Sequence, residues 1–427
     1  MPSKKIAIAH YLTGERDGVS LEIEKRAQVA EGLGNDVVFI TGHDGLKRRN
    51  AYIVPEMTLA NLESVALKEQ MFFKLTIPEL ELKERYYRLE EHIFTQLKKI
   101  WDSQEFDLLF VHNLFSHAFN LPATTALLRI LDIYKTPTVC VHHDFWFERP
   151  KFIKPTTDFV TEKLNQIPPE RPYILKHQVI NSLSASALMA KRSIVAERIG
   201  DYFNFDKPLP ALQRPSLKQK LGIENKDIVV LQATRITERK AIENAIRFVA
   251  ALQKNLPDRK VWLLCSNFVE VDSHPYYEKL KNLAIEMNVQ VLWKQELFQH
   301  EKFWDSYLIS DIVTYPSIQE GFGNQFLEAI YFRKPVVMFE YEVYRKDIKP
   351  EGYRVISLGD TTKRENGFEF VPQRTINLAV DETISLLNSP AEIIKTTEHN
   401  FQIAREYHNE TKLVDDMAGI LNSLQKA

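Results

Sequence analysis

Residues 320–329 read Glu320-Gly321-Phe322-Gly323-Asn324-Gln325-Phe326-Leu327-Glu328-Ala329. The stretch follows an apolar run that ends at Tyr315 and a Pro-Ser turn, and it opens a segment of helical pattern. Gly321 and Gly323 let the backbone approach a ligand closely, and the free amides at the start of a helix suit an anion. The stretch therefore predicts a strand, a tight turn and a helix whose first turn faces an anionic ligand.

Short apolar runs alternate with longer amphipathic segments on both sides of this stretch. Helix-period segments lie between most of the runs; in residues 241–252 the apolar side chains line one face. The alternation predicts an α/β fold in which parallel sheets are covered by helices. The runs that we interpret as buried strands are Ile6–His10, Val37–Ile40, Leu108–Val111, Thr138–Val141, Ile228–Ala233, Val261–Cys265, Val289–Trp293, Ile312–Tyr315 and Pro335–Phe339.

The alternation stops near Asp206–Pro215, where prolines end regular structure, and then restarts. We therefore predict two Rossmann-like doubly wound domains, residues 1–210 and 211–400, facing across a cleft. Residues 401–427 are expected to form a C-terminal helix that packs back toward the first domain. Residues from about 50 to 99 have a charged, helical pattern and are interpreted as an insertion on the first domain. Ligands of such sheets bind at the carboxyl ends of the strands, which here face the cleft.

Two carboxylates frame the glycine turn. Glu320 precedes the predicted helix, and Glu328 lies more than one turn inside it. Because carboxylates accept hydrogen bonds from vicinal hydroxyls, the pair suits the two sugar rings of a nucleotide sugar. Phe322 and Asn324 lie between them and are candidate contacts to the same ligand. The alternative is a pair of surface acids, since helix starts favour acidic residues.

A basic loop follows the run Ile228–Ala233 and reads Thr234-Arg235-Ile236-Thr237-Glu238-Arg239-Lys240. Arg235 and Lys240 lie at the carboxyl end of a strand and beside the start of a helix, which suits a diphosphate. In a transferase the same cations would neutralise the departing diphosphate as the sugar bond breaks. The alternative is a solvated basic loop without a ligand.

The two motifs, about 85 residues apart and in this order, resemble those of the family 4 glycosyltransferases (glycosyl transferases group 1), which have the GT-B fold. Arg235 and Lys240 match the Arg-x4-Lys pair of that family, and Glu320 and Glu328 match its Glu-x7-Glu motif. The Pro-Val-Val that begins at Pro335 is also typical. The resemblance covers residues 228–339 well and the rest of the chain more loosely.

This resemblance implies a retaining transferase that moves a hexose from a UDP-, GDP- or ADP-sugar to a hydroxyl-bearing acceptor, either a small molecule or a glycan. It implies no cofactor and no obligatory metal. Glu320 would face the donor sugar and Glu328 the ribose. The first domain would serve the acceptor, and the second would bind the nucleotide sugar. The sequence leaves the donor base, the sugar, the acceptor and the oligomeric state open.

Three departures from the family pattern concern the loops. Thr234 and Ala241 replace the glycines that usually precede the Arg and follow the Lys. A bulky, charged segment, Glu340–Arg345, replaces a glycine-rich run that is common there. The backbone near the phosphates is therefore expected to differ slightly, and the second loop to be specialised.

The loop that follows the first strand, residues 13–20, carries Gly14 and Gly18. In the family this loop closes over the donor phosphates or the acceptor, so both glycines are candidate backbone contacts to the donor. Ser20 is expected to cap the following helix. The alternative is an ordinary strand-to-helix loop.

His143-Asp144 follows the run Thr138–Val141 and resembles the Thr-x-His-Asp segment of the family, whose histidine faces the reacting sugar. A lone histidine is more often structural, but this one lies at a strand end beside His142, with Trp146 and Arg149 nearby. Together with Asp17-Gly18-Val19-Ser20, the segment is also similar to that of bacterial glycosylglycerate-type solute synthases in this family.

Composition excludes several other classes. The net charge of −2 argues against a nucleic-acid partner. The two cysteines lie in apolar runs without zinc-ligand spacing, so they are expected to be buried and reduced, as in the cytoplasm. The sequence shows no secretion signal and no apolar stretch approaching the ~20 residues of a membrane helix. The dinucleotide-binding G-x-G-x-x-G and the P-loop are also missing from the sequence.

Retention requires either two inversions or departure and attack on one face. No isolated carboxylate is obviously placed as a nucleophile, so we expect a front-face reaction in which the diphosphate takes the acceptor proton. Arg235 and Lys240 would stabilise its charge, and His143 would orient the sugar. Two alternatives stay open: a glycan phosphorylase-like enzyme on the same fold, and a non-catalytic sugar-nucleotide-binding protein.

Overall fold

The computed structural model of the chain describes residues 3–15, 17–212, 217–294 and 303–424. Arg16 of the first loop, Arg214 and Pro215 of the predicted break, and residues 425–427 of the predicted last segment lie outside these ranges. Internal contacts divide the chain into two compact units. The first comprises Met1–Asp201 together with Thr411–Ala427, and the second comprises Tyr202–Glu410.

The first unit is built on a seven-stranded sheet in the order β3-β2-β1-β4-β5-β6-β7. All of its strand pairs are parallel. The strands are β1 Lys5–His10, β2 Asp36–Thr41, β3 Ala51–Ile53, β4 Leu108–His112, β5 Thr138–His142, β6 Ile174–Val179 and β7 Ala196–Arg198. The helices that connect them are α1 Gly18–Gly32, α2 Leu62–Phe72, α3 Glu79–Ser103, α4 Leu121–Tyr134, α5 Asp158–Leu164 and α6 Ser182–Arg192.

The second unit contains a six-stranded parallel sheet in the order β10-β9-β8-β11-β12-β13 and a two-stranded antiparallel hairpin of β14 and β15. Its strands are β8 Ile228–Gln232, β9 Val261–Cys265, β10 Gln290–Trp293, β11 Ile312–Tyr315, β12 Val336–Met338, β13 Ile356–Ser357, β14 Lys363–Glu365 and β15 Phe368–Phe370. Its helices are α7 Leu217–Lys220, α8 Glu243–Asn255, α9 His274–Glu286, α10 Phe303–Ile309, α11 Asn324–Tyr331, α12 Gln373–Leu387 and α13 Pro390–Tyr407.

Both sheets have the strand order of a Rossmann fold, in which the chain winds outward from one central strand and then reverses. The central strands are apolar and fully buried, as expected where helices cover both faces of a parallel sheet. Each sheet therefore presents the carboxyl ends of its central strands at the point of reversal. The predicted α/β class with two Rossmann-like units is confirmed.

A last helix, α14 (Thr411–Ser423), returns to the first unit and packs against α1. Its Asp416 accepts a hydrogen bond from Gln178 of β6 at 2.8 Å and lies 3.7 Å from the buried guanidinium of Arg26 in α1. The preceding helix, α13, extends to Tyr407 and belongs to the second unit. No helix among the described residues has the length and hydrophobicity needed to span a membrane.

Two local predictions were wrong. Residues 50–99 are not purely an insertion, because Ala51–Ile53 form β3 at the edge of the first sheet. Ser20 does not cap α1. The side chain of Asp17 does so by accepting hydrogen bonds from the amides of Val19 and Ser20, and the hydroxyl of Ser20 itself donates to Asp17.

Candidate active site

The glycine turn of the second unit links β11 to α11 and has a shape that only glycine fits. Gly323 has φ +146°, and a Cβ atom there would lie 2.5 Å from the hydroxyl of Tyr341. That hydroxyl donates a hydrogen bond to the carbonyl of Phe322. Tyr341 belongs to the bulky loop that departs from the family pattern, so one function of this loop is to hold the turn in place.

Glu320 lies before this turn and forms ion pairs with two cations of the β8–α8 loop. The Nζ of Lys240 donates to Oε1 of Glu320, and Nη1 of Arg239 donates to Oε2 at 2.8 Å. The side chains of Lys240 and Glu320 are only 9% and 8% exposed. Burial raises the pKa of Glu320, but the charges of Lys240 and Arg239 outweigh it and hold this pKa at about 2. Glu320 is therefore an ionised carboxylate under all ordinary conditions.

Arg235 lies at the start of the same loop, and its Nη1 is 2.7 Å from Oε1 of Glu270. About a third of each of these two side chains is exposed. Burial lowers the pKa of Lys240. The charge of Glu320 opposes this effect, and the charges of Arg239 and Arg235 add to it. The loop that follows β8 thus carries three cations, and they pair with carboxylates from the loops that follow β9 and β11. The sequence interpretation had overlooked Arg239 and Glu270.

Glu328 lies on α11 and accepts a hydrogen bond from the hydroxyl of Tyr307 at 2.6 Å. Tyr307 comes from α10 and is fully buried. The second residue of the predicted carboxylate pair therefore has a fixed neighbour that no sequence pattern had indicated.

In the first unit, His143 follows the last residue of β5. Its amide donates to Oδ1 of Asn113 at 2.9 Å, and its Nε2 is buried without a hydrogen-bond partner among the described residues. Asn113 has φ +57°, a left-handed conformation that is uncommon outside glycine but that asparagine adopts more readily than most residues. Burial lowers the pKa of His143 to about 3, so its imidazole is neutral at physiological pH.

Histidines end all three central strands of the first sheet: His10 in β1, His112 in β4 and His142 in β5. The Nδ1 of His10 lies 2.8 Å from the carbonyl of His112. Both ring nitrogens of His112 are buried without a partner among the described residues. The sequence interpretation had pointed to the strand ends at His112 and His142, and the structure adds His10 of the adjacent strand β1.

Asp144 is held from two sides. Nε2 of His117 contacts one carboxylate oxygen, and Nε of Arg149 donates to the other at 2.9 Å. Burial raises the pKa of Asp144, but its two cationic or hydrogen-bonding partners bring it down to about 2. The residue beside His143 is therefore a fixed anion, which restrains the backbone of this strand end.

The backbone conformation and close surroundings of Gly14 also favour glycine. Its φ is +73°, and a Cβ atom there would lie 2.7 Å from a carboxylate oxygen of Asp44 and from the amide of Leu46. Gly18 is the first residue of α1. These contacts explain Gly14 without a ligand, and the predicted contacts of both glycines with a donor stay a prediction.

Cys140, His142 and His177 bring three metal-binding atoms within 4.8 Å of one another in the interior of the first unit. However, Nε2 of His142 lies 2.9 Å from Nδ1 of His177, and the two rings are only 15° from coplanar. These nitrogens are therefore hydrogen-bonded to each other. Burial also raises the pKa of Cys140, which disfavours the thiolate that a metal needs. This cluster fits a buried hydrogen-bonded pair better than a metal centre.

Comparison with known proteins gives consistent results. Residues 213–401 match the family model described as glycosyl transferases group 1. The chain is 35% identical over 416 residues to a mannosylglucosylglycerate synthase of Petrotoga mobilis, covering 90% of this chain and 94% of the relative. It is 34% identical over 429 residues to a protein of the same name from Thermotoga maritima, covering 96% and 98%.

A crystal structure of a glycosyltransferase from Rickettsia africae superposes over 100% of both chains with a TM-score of 0.67 and 14% identity, which shows a shared fold. The two Rossmann-type sheets place that fold in the GT-B class. The similarity to the two synthases extends over nearly the whole length of the chain. The chain therefore belongs to the glycosyl transferases group 1 family and is a glycosyltransferase.

Proposed function

We propose that this enzyme transfers a mannosyl residue, with retention of configuration, from a nucleoside diphosphate sugar to a hydroxyl of glucosylglycerate. The sugar and the acceptor are taken from the product named for the two synthases that are about a third identical to this chain. The observation that supports the proposal most directly is that Glu320 forms ion pairs with Lys240 and Arg239 beside the glycine turn that precedes α11.

The second unit supplies the donor site in this proposal. Arg235 and Lys240 bind the diphosphate, with Arg239 as a third cation nearby. Glu320 accepts hydrogen bonds from hydroxyls of the donor sugar, and its low pKa keeps it a pure acceptor. Glu328 binds the ribose. Gly321, Phe322, Gly323 and Asn324 bring backbone amides and the helix start toward the phosphates.

The reaction proceeds on one face of the sugar. The acceptor oxygen bonds to the anomeric carbon as the bond from that carbon to the diphosphate breaks, and a diphosphate oxygen takes the acceptor proton. Arg235 and Lys240 stabilise the charge that builds up on the diphosphate, so neither a metal nor a cofactor is required. His143 orients the sugar as a neutral hydrogen-bonding group, because its low pKa makes it unsuitable as a proton donor near neutral pH.

A direct assay tests this proposal. Purified enzyme is incubated with GDP-mannose, UDP-glucose or ADP-glucose and with glucosylglycerate, in buffer with and without EDTA, and the products are identified by NMR. We expect consumption of a mannosyl donor only when glucosylglycerate is present, with no effect of EDTA. Binding of a nucleoside diphosphate without transfer to any acceptor would indicate the non-catalytic alternative. Loss of turnover in EDTA that added metal restores would refute the metal-independent mechanism.

A further inference from the structure

Tyr307 of α10 and Glu328 of α11 form a hydrogen bond in which the tyrosine hydroxyl donates to Oε2 of the carboxylate at 2.6 Å. We propose that Tyr307 is a positioning residue that fixes the Glu328 carboxylate for the ribose hydroxyls of the donor nucleotide. This inference rests on the proposed function, because it takes Glu328 as the ribose-binding group.

The ring of Tyr307 is held rigidly by its neighbours. It stacks on Phe332, with ring centroids 4.9 Å apart and planes 14° apart, and it meets the edge of Phe303 at 5.6 Å. Trp304 lies 6.0 Å away at a tilt, and the tyrosine has no solvent exposure. A ring packed in this way cannot rotate freely, so its hydroxyl is a fixed point from which to orient a flexible glutamate.

The hydroxyl is also a permanent donor. Burial and the charge of Glu328 raise the pKa of Tyr307 well above its ordinary value, so the phenol is protonated at physiological pH. A hydrogen bond to an ionised carboxylate is stronger than a neutral one. The side chain of Glu328 is therefore already ordered in the free enzyme. Binding of a ribose then does not incur the entropic cost of ordering this side chain. Ordering one long side chain corresponds to about a twofold to tenfold change in affinity.

The Tyr307→Phe variant removes the hydroxyl and keeps the packed ring. Isothermal titration calorimetry first identifies which of GDP, UDP and ADP binds the wild-type enzyme most tightly. The variant is then titrated with that nucleotide and with its 2′,3′-dideoxy counterpart. We expect affinity for the ribonucleotide to fall by about twofold to tenfold and affinity for the dideoxy compound to stay unchanged.

Three further variants make the assignment specific. In a Glu328→Ala background, Tyr307→Phe should have no additional effect, since its action passes through the carboxylate. Glu328→Asp shortens the side chain, so that the carboxylate is withdrawn from the hydroxyl of Tyr307 while the aromatic core stays the same. This variant should reduce only the ribose-dependent part of the nucleotide affinity. Tyr331→Phe is the matched control, because its hydroxyl belongs to the same aromatic cluster but donates to the carbonyl of Pro208 at 2.9 Å. We expect it to leave both affinities unchanged.

The outcomes distinguish failure of the positioning role of Tyr307 from failure of the proposed function. Unchanged ribonucleotide affinity in Tyr307→Phe, or an equal loss for both nucleotides, would overturn the positioning role while leaving the donor site intact. If wild-type enzyme binds none of the three diphosphates, the proposed function itself is wrong, and the positioning role falls with it.

Discussion

Lys240 and Glu320 are 80 positions apart in the chain, and their side chains form a buried ion pair. The lysine belongs to the loop that follows β8, and the glutamate belongs to the loop that follows β11. These two strands are neighbours in the sheet, so their carboxyl ends meet at the same edge. The pair links a candidate phosphate-binding cation directly to a candidate sugar-binding carboxylate, and a donor that contacts one must affect the other.

Removing one partner of this pair should cost more than removing both. Lys240→Ala leaves the buried carboxylate of Glu320 with Arg239 as its one ion-pair partner among the described residues, and we expect the free energy of unfolding to fall by about 3 kcal/mol. The double variant Lys240→Ala/Glu320→Ala also removes the buried carboxylate, so its free energy of unfolding should fall by less than that of Lys240→Ala. Urea denaturation followed by tryptophan fluorescence measures both. A double variant whose loss equals the sum of the two single losses would contradict the coupling.

Arg235→Ala should weaken binding of the free nucleoside diphosphate about ten- to a hundredfold, because a charge-assisted hydrogen bond is worth roughly 1.5–3 kcal/mol. Glu270→Gln provides the matched control, since it removes the carboxylate that contacts Arg235 and leaves the arginine in place. This control should bind the diphosphate at least as tightly as the wild type. Calorimetric affinities that stay unchanged in both Arg235→Ala and Lys240→Ala would refute the diphosphate site.

Glu320→Gln should lower turnover at least tenfold while leaving affinity for the free diphosphate equal to or tighter than that of the wild type. The amide cannot offer the donor sugar a charged acceptor, whereas the free diphosphate has no sugar to contact. The change also releases Lys240 and Arg239 from an anion that competes with the phosphates. Steady-state kinetics and calorimetry on the same preparation measure the two effects. A weaker diphosphate affinity would show that Glu320 supports the phosphate site instead.

Much of the fold could be predicted from the sequence because the central strands are continuous apolar runs, and each predicted run coincides with a strand. The strand β6 was missed because Lys176, His177 and Gln178 interrupt its apolar pattern. Gln178 donates to Asp416 of α14, a residue 238 positions later, so the partner that makes this polar strand acceptable is invisible to any local pattern. The strands β3, β7 and β13 were missed because each has only two or three residues.

The sequence predicted those residues of the candidate site that belong to short, recognisable motifs. Glu320 and Lys240 were identified by spacing, but their contact depends on the pairing of β8 with β11. Tyr307 lies 21 residues before Glu328, in a different helix and without a motif of its own. The carboxylate partner of Arg235 was missed for the same reason, since Glu270 follows a separate strand.

The first unit should lose stability in mild acid. Burial lowers the pKa of His10 and His177 to about 4 and that of His143 to about 3, against the ordinary histidine value of 6.5. The unfolded chain therefore binds more protons than the folded one below pH 6.5. Each group lowers the free energy of unfolding by about 1.4 kcal/mol per pH unit as the pH falls toward its folded pKa. We expect the melting temperature to decline steadily between pH 6.5 and 4.5.

Two histidine variants test this origin of the acid sensitivity. His143→Gln removes one titrating group and should flatten the dependence of the melting temperature on pH. His92→Gln is the comparison variant, because His92 lies in the same unit and its side chain is 60% exposed. If the melting temperatures of both variants depend on pH with the same slope, the acid sensitivity comes from groups other than His143.

The stereochemistry of the product is the most direct test of the mechanism. A front-face reaction retains the anomeric configuration and forms no covalent bond between sugar and enzyme. Proton NMR of the product formed in the first turnovers should therefore show the anomer of the donor. Mass spectrometry of enzyme quenched during turnover should show the unmodified protein mass. A glycosyl adduct on any carboxylate would instead require two inversions, and an inverted product would be incompatible with a retaining reaction. Glu320 is the residue on which an adduct would be sought first, because it is the ionised carboxylate that we propose to contact the donor sugar.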